Sequence, residues 1–271
     1  MADRIRADVA LVEMGLCRSR ERAQAAIMEG IVFLGEKRIN KPSEMIVPDD
    51  VLTLKQKQVE YVSRGALKLE KAIRVFQADL HDRVVMDIGS STGGFTDICL
   101  RNGARHVYAV DVGYGQLDWK LRNDPRVTVM ERTNARFLTR EMFPEIPSVT
   151  VMDVSFISIR LIIPAAIRIM GDNGVFYTLI KPQFEAGRDL VGKNGVVRDP
   201  ETHSAVLKRV IGFVRELEWQ VVALDYSPIT GPKGNIEFLA EIRKKGDDRE
   251  AVTEEKADAV VNEAHQPSSG L

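Results

Sequence analysis

Cysteine, histidine and aromatic side chains are scarce in this chain, net charge is nearly absent, and no long apolar run is present. Its 271 residues include 2 cysteines, 4 histidines and 6% aromatics. Cys17 and Cys99 fall on separate helical patterns without a partner at metal-ligand spacing, which excludes a disulfide framework and a metal cluster and points to a reduced, cytoplasmic location. His81, His106, His203 and His265 are scattered, so structural or surface roles are expected for them. The most hydrophobic stretch, Leu161 to Met170, contains Arg168 and falls far short of the ~18 apolar residues of a membrane span. The N-terminus (Asp3, Arg4, Arg6, Asp8) has no apolar core behind it, unlike a secretory leader. Neither a metal nor a membrane partner is expected. A net charge of −1 also excludes a globally basic nucleic-acid binder.

What is present is a sizeable apolar fraction, 44%, enough for one large domain and a small one. The small one, 1–58, reads as two helices followed by short strands, with a polar linker, Lys55-Gln56-Lys57-Gln58, at its end. Val9, Leu11, Val12 and Leu16 form one apolar stripe, Ser19 is a helix cap, and Ala23, Ala26 and Ile27 form the next inner face up to Gly30. Gly35-Glu36 joins two strands into a hairpin, and Asp49-Asp50 precedes a last strand, Val51 to Leu54. Residues 1–60 hold ten Lys/Arg and ten Asp/Glu, so phosphate binding there needs a local patch such as Arg18, Arg20 and Arg22 with Lys37, Arg38 and Lys41. From 59 to 245 strands and helices alternate, which argues for an α/β fold with a mostly parallel, doubly wound sheet. The last two strands, Gln220 to Asp225 and Ile236 to Ile242, flank Ser227 to Gly234, a connection so short that the sheet must end in an antiparallel strand. Gln183 to Pro200 is a long connection expected to act as a lid. Trp119 and Trp219 are expected in the core or on a cofactor wall. Residues 246–271 form a charged tail with an amphipathic helix pattern (Val252, Ala257, Val260, Val261, Ala264) and an end, Gln266 to Leu271, expected to be disordered.

Two groups of residues carry chemistry. Asp87-Ile88-Gly89-Ser90-Ser91-Thr92-Gly93-Gly94-Phe95-Thr96 is a strand end, a glycine turn and a helix start, where a ligand approaches backbone amides closely. Asp111, 22 residues after Gly89 at the end of the next strand, suits the hydroxyls of a ribose. Both NAD and S-adenosylmethionine offer such hydroxyls, and the hairpin at the end of the sheet favours the second. The other group is four charges at element ends: Lys68, Asp153, Lys181 and Glu237. Such charges are costly unless paired or used.

These motifs carry a resemblance. Arg6-x-Asp8, Gly15-Leu16, Ser19-Arg20, Ala23, Ile27, Gly30, Val32, Gly35, Lys41-Pro42-Ser43 and Asp50 resemble the ribosomal S-four RNA-binding domain. That resemblance implies that Arg6, Arg18, Ser19, Arg20, Arg22, Lys37, Arg38 and Lys41 face RNA. Tyr61 to Ile242 resembles the FtsJ-like ribose methyltransferases, through Ser63-Arg64-Gly65-Ala66-Leu67-Lys68-Leu69, the glycine turn, Asp153-Val154-Ser155-Phe156-Ile157-Ser158 and Lys181-Pro182-Gln183-Phe184-Glu185. The fusion is similar to the TlyA family, known both as haemolysins and as rRNA 2′-O-methyltransferases. The resemblance implies a Rossmann-like methyltransferase sheet with an antiparallel C-terminal strand behind a small α+β RNA-binding domain. It implies S-adenosyl-L-methionine as cofactor, held by Asp87, Gly89, Ser90, Ser91, Gly93, Gly94, Phe95, Thr96, Asp111 and Asp153, and a catalytic tetrad of Lys68, Asp153, Lys181 and Glu237. The implied substrate is a cytidine ribose in ribosomal RNA, 16S and/or 23S, presented by ribosomal particles, with Arg64 also facing RNA. Two rivals are a haemolysin-like membrane-active protein and a non-enzymatic RNA-binding factor. The missing membrane span opposes the first, and the intact tetrad and glycine turn oppose the second.

Overall fold

The computed structural model describes residues 4–47, 50–54 and 61–266, and the chain divides into two compact units, 1–60 and 61–271. The expected linker Lys55 to Gln58, Asp49, and the expected disordered end apart from Gln266 lie outside the described residues.

In the smaller unit β1 (Ile5–Arg6) leads into α1 (Ala7–Glu13) and α2 (Arg20–Met28). Ser19 caps α2, its Oγ accepting the Arg22 amide at 3.4 Å. Gly30 ends that helix in the left-handed region, φ +74°, where a side chain would be strained. Then follow β2 (Val32–Leu34), β3 (Lys37–Arg38), β4 (Met45–Ile46) and β5 (Leu52–Leu54). β2 pairs antiparallel with both β3 and β5, and β1 pairs with β4. The two helices bury Leu11, Ala23 and Ile27 against Val32, Ile39 and Leu52.

The larger unit begins with α3 (Ala66–Phe76), β6 (Val84–Ile88), α4 (Gly94–Arg101), β7 (His106–Val110), α5 (Trp119–Arg122) and β8 (Val127–Met130). It continues through β9 (Val149–Met152), α6 (Ile163–Met170), β10 (Val175–Ile180), α7 (Pro182–Glu185) and α8 (Pro200–Glu216) to β11 (Trp219–Tyr226), β12 (Phe238–Lys244) and α9 (Glu254–Ala264). One seven-stranded sheet has the order β11-β12-β10-β9-β6-β7-β8. β8, β7, β6, β9 and β10 are mutually parallel, and β12 is antiparallel to both β10 and β11. The antiparallel strand is therefore last in sequence, as expected, but stands one place in from the edge. β11 takes the outside position and the chain returns between it and β10.

Side chains alternate across the sheet as a period of two requires. Val84, Met86 and Ile88 face α6, α8 and α9, whereas Val85 faces α3 and α4. Trp219 is fully buried, edge-on to Phe176 at 5.5 Å. Trp119 is not: 75% of it is exposed, because α5 is too short to bury it beneath the sheet edge. The amphipathic pattern near the C-terminus forms α9, whose Ala257, Val260, Val261 and Ala264 join the core of this unit. Nor are all the histidines isolated. His203, fully buried at the start of α8, lies 2.9 Å from His265 at the end of α9 and 3.1 Å from the Val197 carbonyl. Burial and the neighbouring His265 press its pKa down to about 4.

Candidate active site

The register of the sheet brings the four end-of-element charges to one place. Met152 stands opposite both Ile88 and Thr178, so Asp153 leaves the sheet beside Gly89 and near Lys181, which follows β10. β12 runs the other way, and its first residue, Phe238, pairs with Ile180, so Glu237 enters at the same edge. α3 supplies Lys68 from above. It is fixed one turn later by Lys71, whose Nζ donates to Asp225 Oδ1 at 2.8 Å and the Tyr226 carbonyl at 2.6 Å and sits 3.7 Å over the Tyr226 ring.

The result is a continuous network. Lys68 Nζ donates to Glu237 Oε2 at 2.6 Å and Asp153 Oδ2 at 3.3 Å, while Lys181 Nζ lies 2.6 Å from Asp153 Oδ1 and donates to Ser155 Oγ at 3.0 Å. Gln183 Nε2 donates to the other Glu237 oxygen at 3.2 Å. Lys68, Lys181 and Glu237 are buried and Asp153 is partly so. Burial pushes the Lys68 ammonium toward neutrality, but the carboxylates of Asp153 and Glu237 together outweigh it and its pKa is raised. Lys68 is therefore a fixed cation. Two lysines and two carboxylates balance in charge, which is what allows them to be withdrawn from water together.

The glycine turn abuts this network. A Cβ on Gly89, φ +82°, would fall 2.6 Å from the Asp153 carbonyl, and one on Gly94 would fall 2.3 Å from Ser63 Oγ and 3.0 Å from the Ala66 amide. Only glycine permits the turn, β9's end and α3 to approach so closely. Asp111 braces the turn from outside, its Oδ2 accepting the Ser91 amide at 2.8 Å and its Oδ1 the Gly113 amide at 2.7 Å. Asp87 lies beneath, fully buried; Oδ2 accepts the Thr96 hydroxyl at 2.6 Å and Oδ1 has no hydrogen-bond partner among the described residues. Burial raises its pKa to about 7.

A cavity of about 560 Å³ opens over turn and network together. Gly89, Ser90, Ser91, Gly94, Phe95, Arg64 and all four network residues line it, whereas Asp87, Gly93, Thr96 and Asp111 are not among its lining residues. The N-terminus of α4, small residues in the turn and an acidic brace at the next strand form a cradle that fits S-adenosylmethionine. Ser155, Phe156, Gln183 and Phe184, which lie inside two of the family motifs without a role of their own there, also line the cavity. Phe156 is held at φ +65° with 91% of its surface exposed, its ring 5.2 Å from that of Phe184. A bulky residue so placed is strained, a state found where surrounding contacts serve a function. Two residues further on, Glu185 holds the same segment, accepting from the Ser158 hydroxyl at 2.7 Å and the Ile159 amide at 2.8 Å. Within the connection after Gln183, expected as a lid, the Gly195 carbonyl accepts from Asn235 at 2.9 Å and the Val197 amide donates to Asn235 at 3.0 Å.

In the smaller unit the residues expected to face RNA divide. Arg18, Arg20, Arg22, Lys37, Arg38 and Lys41 are exposed. Lys37 is paired with Glu44 at 2.6 Å, Ser19 is used as a cap, and the Arg38 guanidinium covers Gly30. Arg6 and Arg20 both reach Asp8.

Residues 61–244 match the family model described as FtsJ-like methyltransferase, and residues 5–52 match that of the S4 domain. YqxC of Bacillus subtilis is 52% identical over 264 residues, 96% of this chain and 94% of its own. The 16S/23S rRNA (cytidine-2′-O)-methyltransferase TlyA of Mycobacterium tuberculosis is 42% identical over 248 residues, 91% of this chain and 92% of its own. A solved chain from Streptococcus thermophilus that carries a hemolysin name superposes with a TM-score of 0.74 at 46% identity, covering 98% of this chain and 97% of that one.

Proposed function

The chain belongs to the FtsJ-like methyltransferase family, in the form that carries an N-terminal S4 domain, and on that premise we propose that it methylates a cytidine ribose in ribosomal RNA at the 2′-oxygen. The observation that carries this reading is the unbroken network Glu237–Lys68–Asp153–Lys181 beside a glycine turn in one cavity. When bound, S-adenosylmethionine supplies an electrophilic methyl group. The remaining work belongs to the chain. Holding the ribose oxygen in line is the largest contribution, up to ~7–11 kcal/mol in favourable systems.

Lys181 is the residue assigned to the 2′-oxygen: as an ammonium its Nζ stabilises the negative charge that develops while the hydroxyl proton passes to water, and as the free amine it takes that proton itself. Asp153 and Ser155 fix that Nζ from two sides. Lys68, held cationic between Asp153 and Glu237, sets the field and meets the ribose or its phosphate. The exposed ring of Phe156, paired with Phe184 at the cavity mouth, suits stacking of a base turned out of its helix. The smaller unit contacts RNA through a few phosphates, since its charges cancel in sum. A ribosomal substrate assigns the protein to the cytoplasm. Transfer of labelled methyl to isolated 30S, 50S and 70S particles tests the proposal; label in none of them would remove it.

A further inference from the structure

We infer that Asp8 is a positioning residue for RNA: it aims Arg6 and Arg20 as a pair at a single backbone phosphate. The inference rests on the RNA-binding reading of the smaller unit and adds a residue to it. Asp8 lies in the first turn of α1 and is completely buried, yet it carries a charge. A buried carboxylate needs compensation. Here it comes from one bidentate partner and two single ones. Arg6 grips it with Nε on Oδ1 at 2.9 Å and Nη2 on Oδ2 at 3.0 Å, and Oδ2 also accepts from Arg20 Nε at 3.2 Å and Gln24 Nε2 at 2.9 Å. The hydrogen bond from Arg6 is the chief reason that the Asp8 pKa is lowered, so the group stays ionised.

The two guanidiniums face outward from this anchor, with 39% and 53% of their side-chain surface exposed. An arginine has five N–H donors. Arg6 spends two on Asp8 and Arg20 spends one, so most of their donors remain for a ligand among the described residues. Because Arg6 Nη2 and Arg20 Nε touch the same oxygen, the two planes are held near each other at a spacing that free side chains would adopt only rarely. The charges sum to +1, one carboxylate against two guanidiniums, which a phosphodiester neutralises. A fixed fork of donors loses less freedom on binding than two mobile side chains do.

Loss of the Asp8 charge is expected to act opposite in sign to simple electrostatics. Asp8→Asn removes a negative charge from an RNA-facing surface, so charge alone would tighten binding. Positioning requires the reverse, because the amide releases the bidentate grip on Arg6. Binding of the full chain to isolated 30S and 50S particles is measured at two salt concentrations, alongside thermal unfolding and cofactor titration. Asp8→Asn is expected to weaken particle binding by ~10-fold, raise KM for particles and leave kcat at saturating particles and cofactor affinity unchanged. Arg20→Lys keeps the charge and loses the fork, and it is expected to weaken binding as well, which covers the case in which Asp8→Asn unfolds the unit. Equal or tighter binding by folded Asp8→Asn, or unaltered binding by Arg20→Lys, would overturn the inference while leaving the RNA reading intact. If the unaltered chain binds neither particle, the RNA reading falls and takes the inference with it.

Discussion

Replacing Lys181 with alanine removes the Nζ that lies 2.6 Å from Asp153 and 3.0 Å from Ser155, at the end of the network assigned to the 2′-oxygen. Two effects follow and they are separable. The first is structural: Asp153 loses its nearer cation but keeps Lys68 at 3.3 Å and remains partly exposed, so the cost in stability is about 1–3 kcal/mol. The second is catalytic. Loss of a preorganised group facing developing charge costs ~100- to 1,000-fold in turnover, or about 2.7–4 kcal/mol, and more if the same group also receives the proton. Cofactor affinity is expected to stay nearly unchanged, since the glycine turn and its brace at Asp111 are untouched. Single-turnover methyl transfer to particles with saturating cofactor reads the second effect. Thermal unfolding reads the first, and calorimetric titration of S-adenosylmethionine checks that cofactor affinity is unchanged. Lys181→Met, which keeps the apolar stem, should recover stability without recovering rate. Turnover within about threefold of the unaltered protein in either variant, on the scale where tenfold is about 1.4 kcal/mol, would refute the assignment of Lys181 to the reacting oxygen.

Asp111→Ala should weaken S-adenosylmethionine binding by about 1.5–3 kcal/mol, combining a lost charged acceptor with the loss of the brace on the Ser91 amide; unaltered affinity in calorimetry would place the ribose contact elsewhere. Deleting residues 1–60 should leave a folded unit that binds cofactor and methylates particles poorly, because the two units bury separate cores; full activity of the truncated chain would contradict substrate delivery by the smaller unit. Asp87, with its pKa raised to about 7, binds more protons folded than unfolded between about pH 4 and 7, so its contribution to stability falls as pH rises through that window, by up to about 4 kcal/mol. Asp87→Asn should flatten the fall in denaturant midpoint from pH 5 to 8; an unchanged slope would show that Asp87 is not the group responsible.

Much of this site was legible in one dimension because strand ends are. Asp153 and Lys181 each close an apolar run, and an element end at the carboxyl edge of a parallel sheet is where a charge reaches solvent and ligand. Glu237 was legible only through the short connection before it, which forces β12 to run backwards and bring its first residues to the same edge. Other features depend on contacts between distant segments and have no local signal. Gln183 meets Glu237 across 54 residues, His203 meets His265 across 62, and the clamp of Glu185 on Ser158 and Ile159 exists only once two loops are side by side. Trp119 misled because its size argues for burial, whereas α5 has only four residues and no second layer to cover it.

Methyl transfer to a ribose oxygen is tested most directly by locating the methyl group. Particles labelled by the purified full chain are digested to nucleosides, and the product is identified by mass and by its resistance to alkaline cleavage at the 3′ side. The expected product is 2′-O-methylcytidine in ribosomal RNA, absent when Lys181→Ala replaces the unaltered protein. A methyl group on a base, or the same 2′-O-methylcytidine yield from Lys181→Ala, would contradict it.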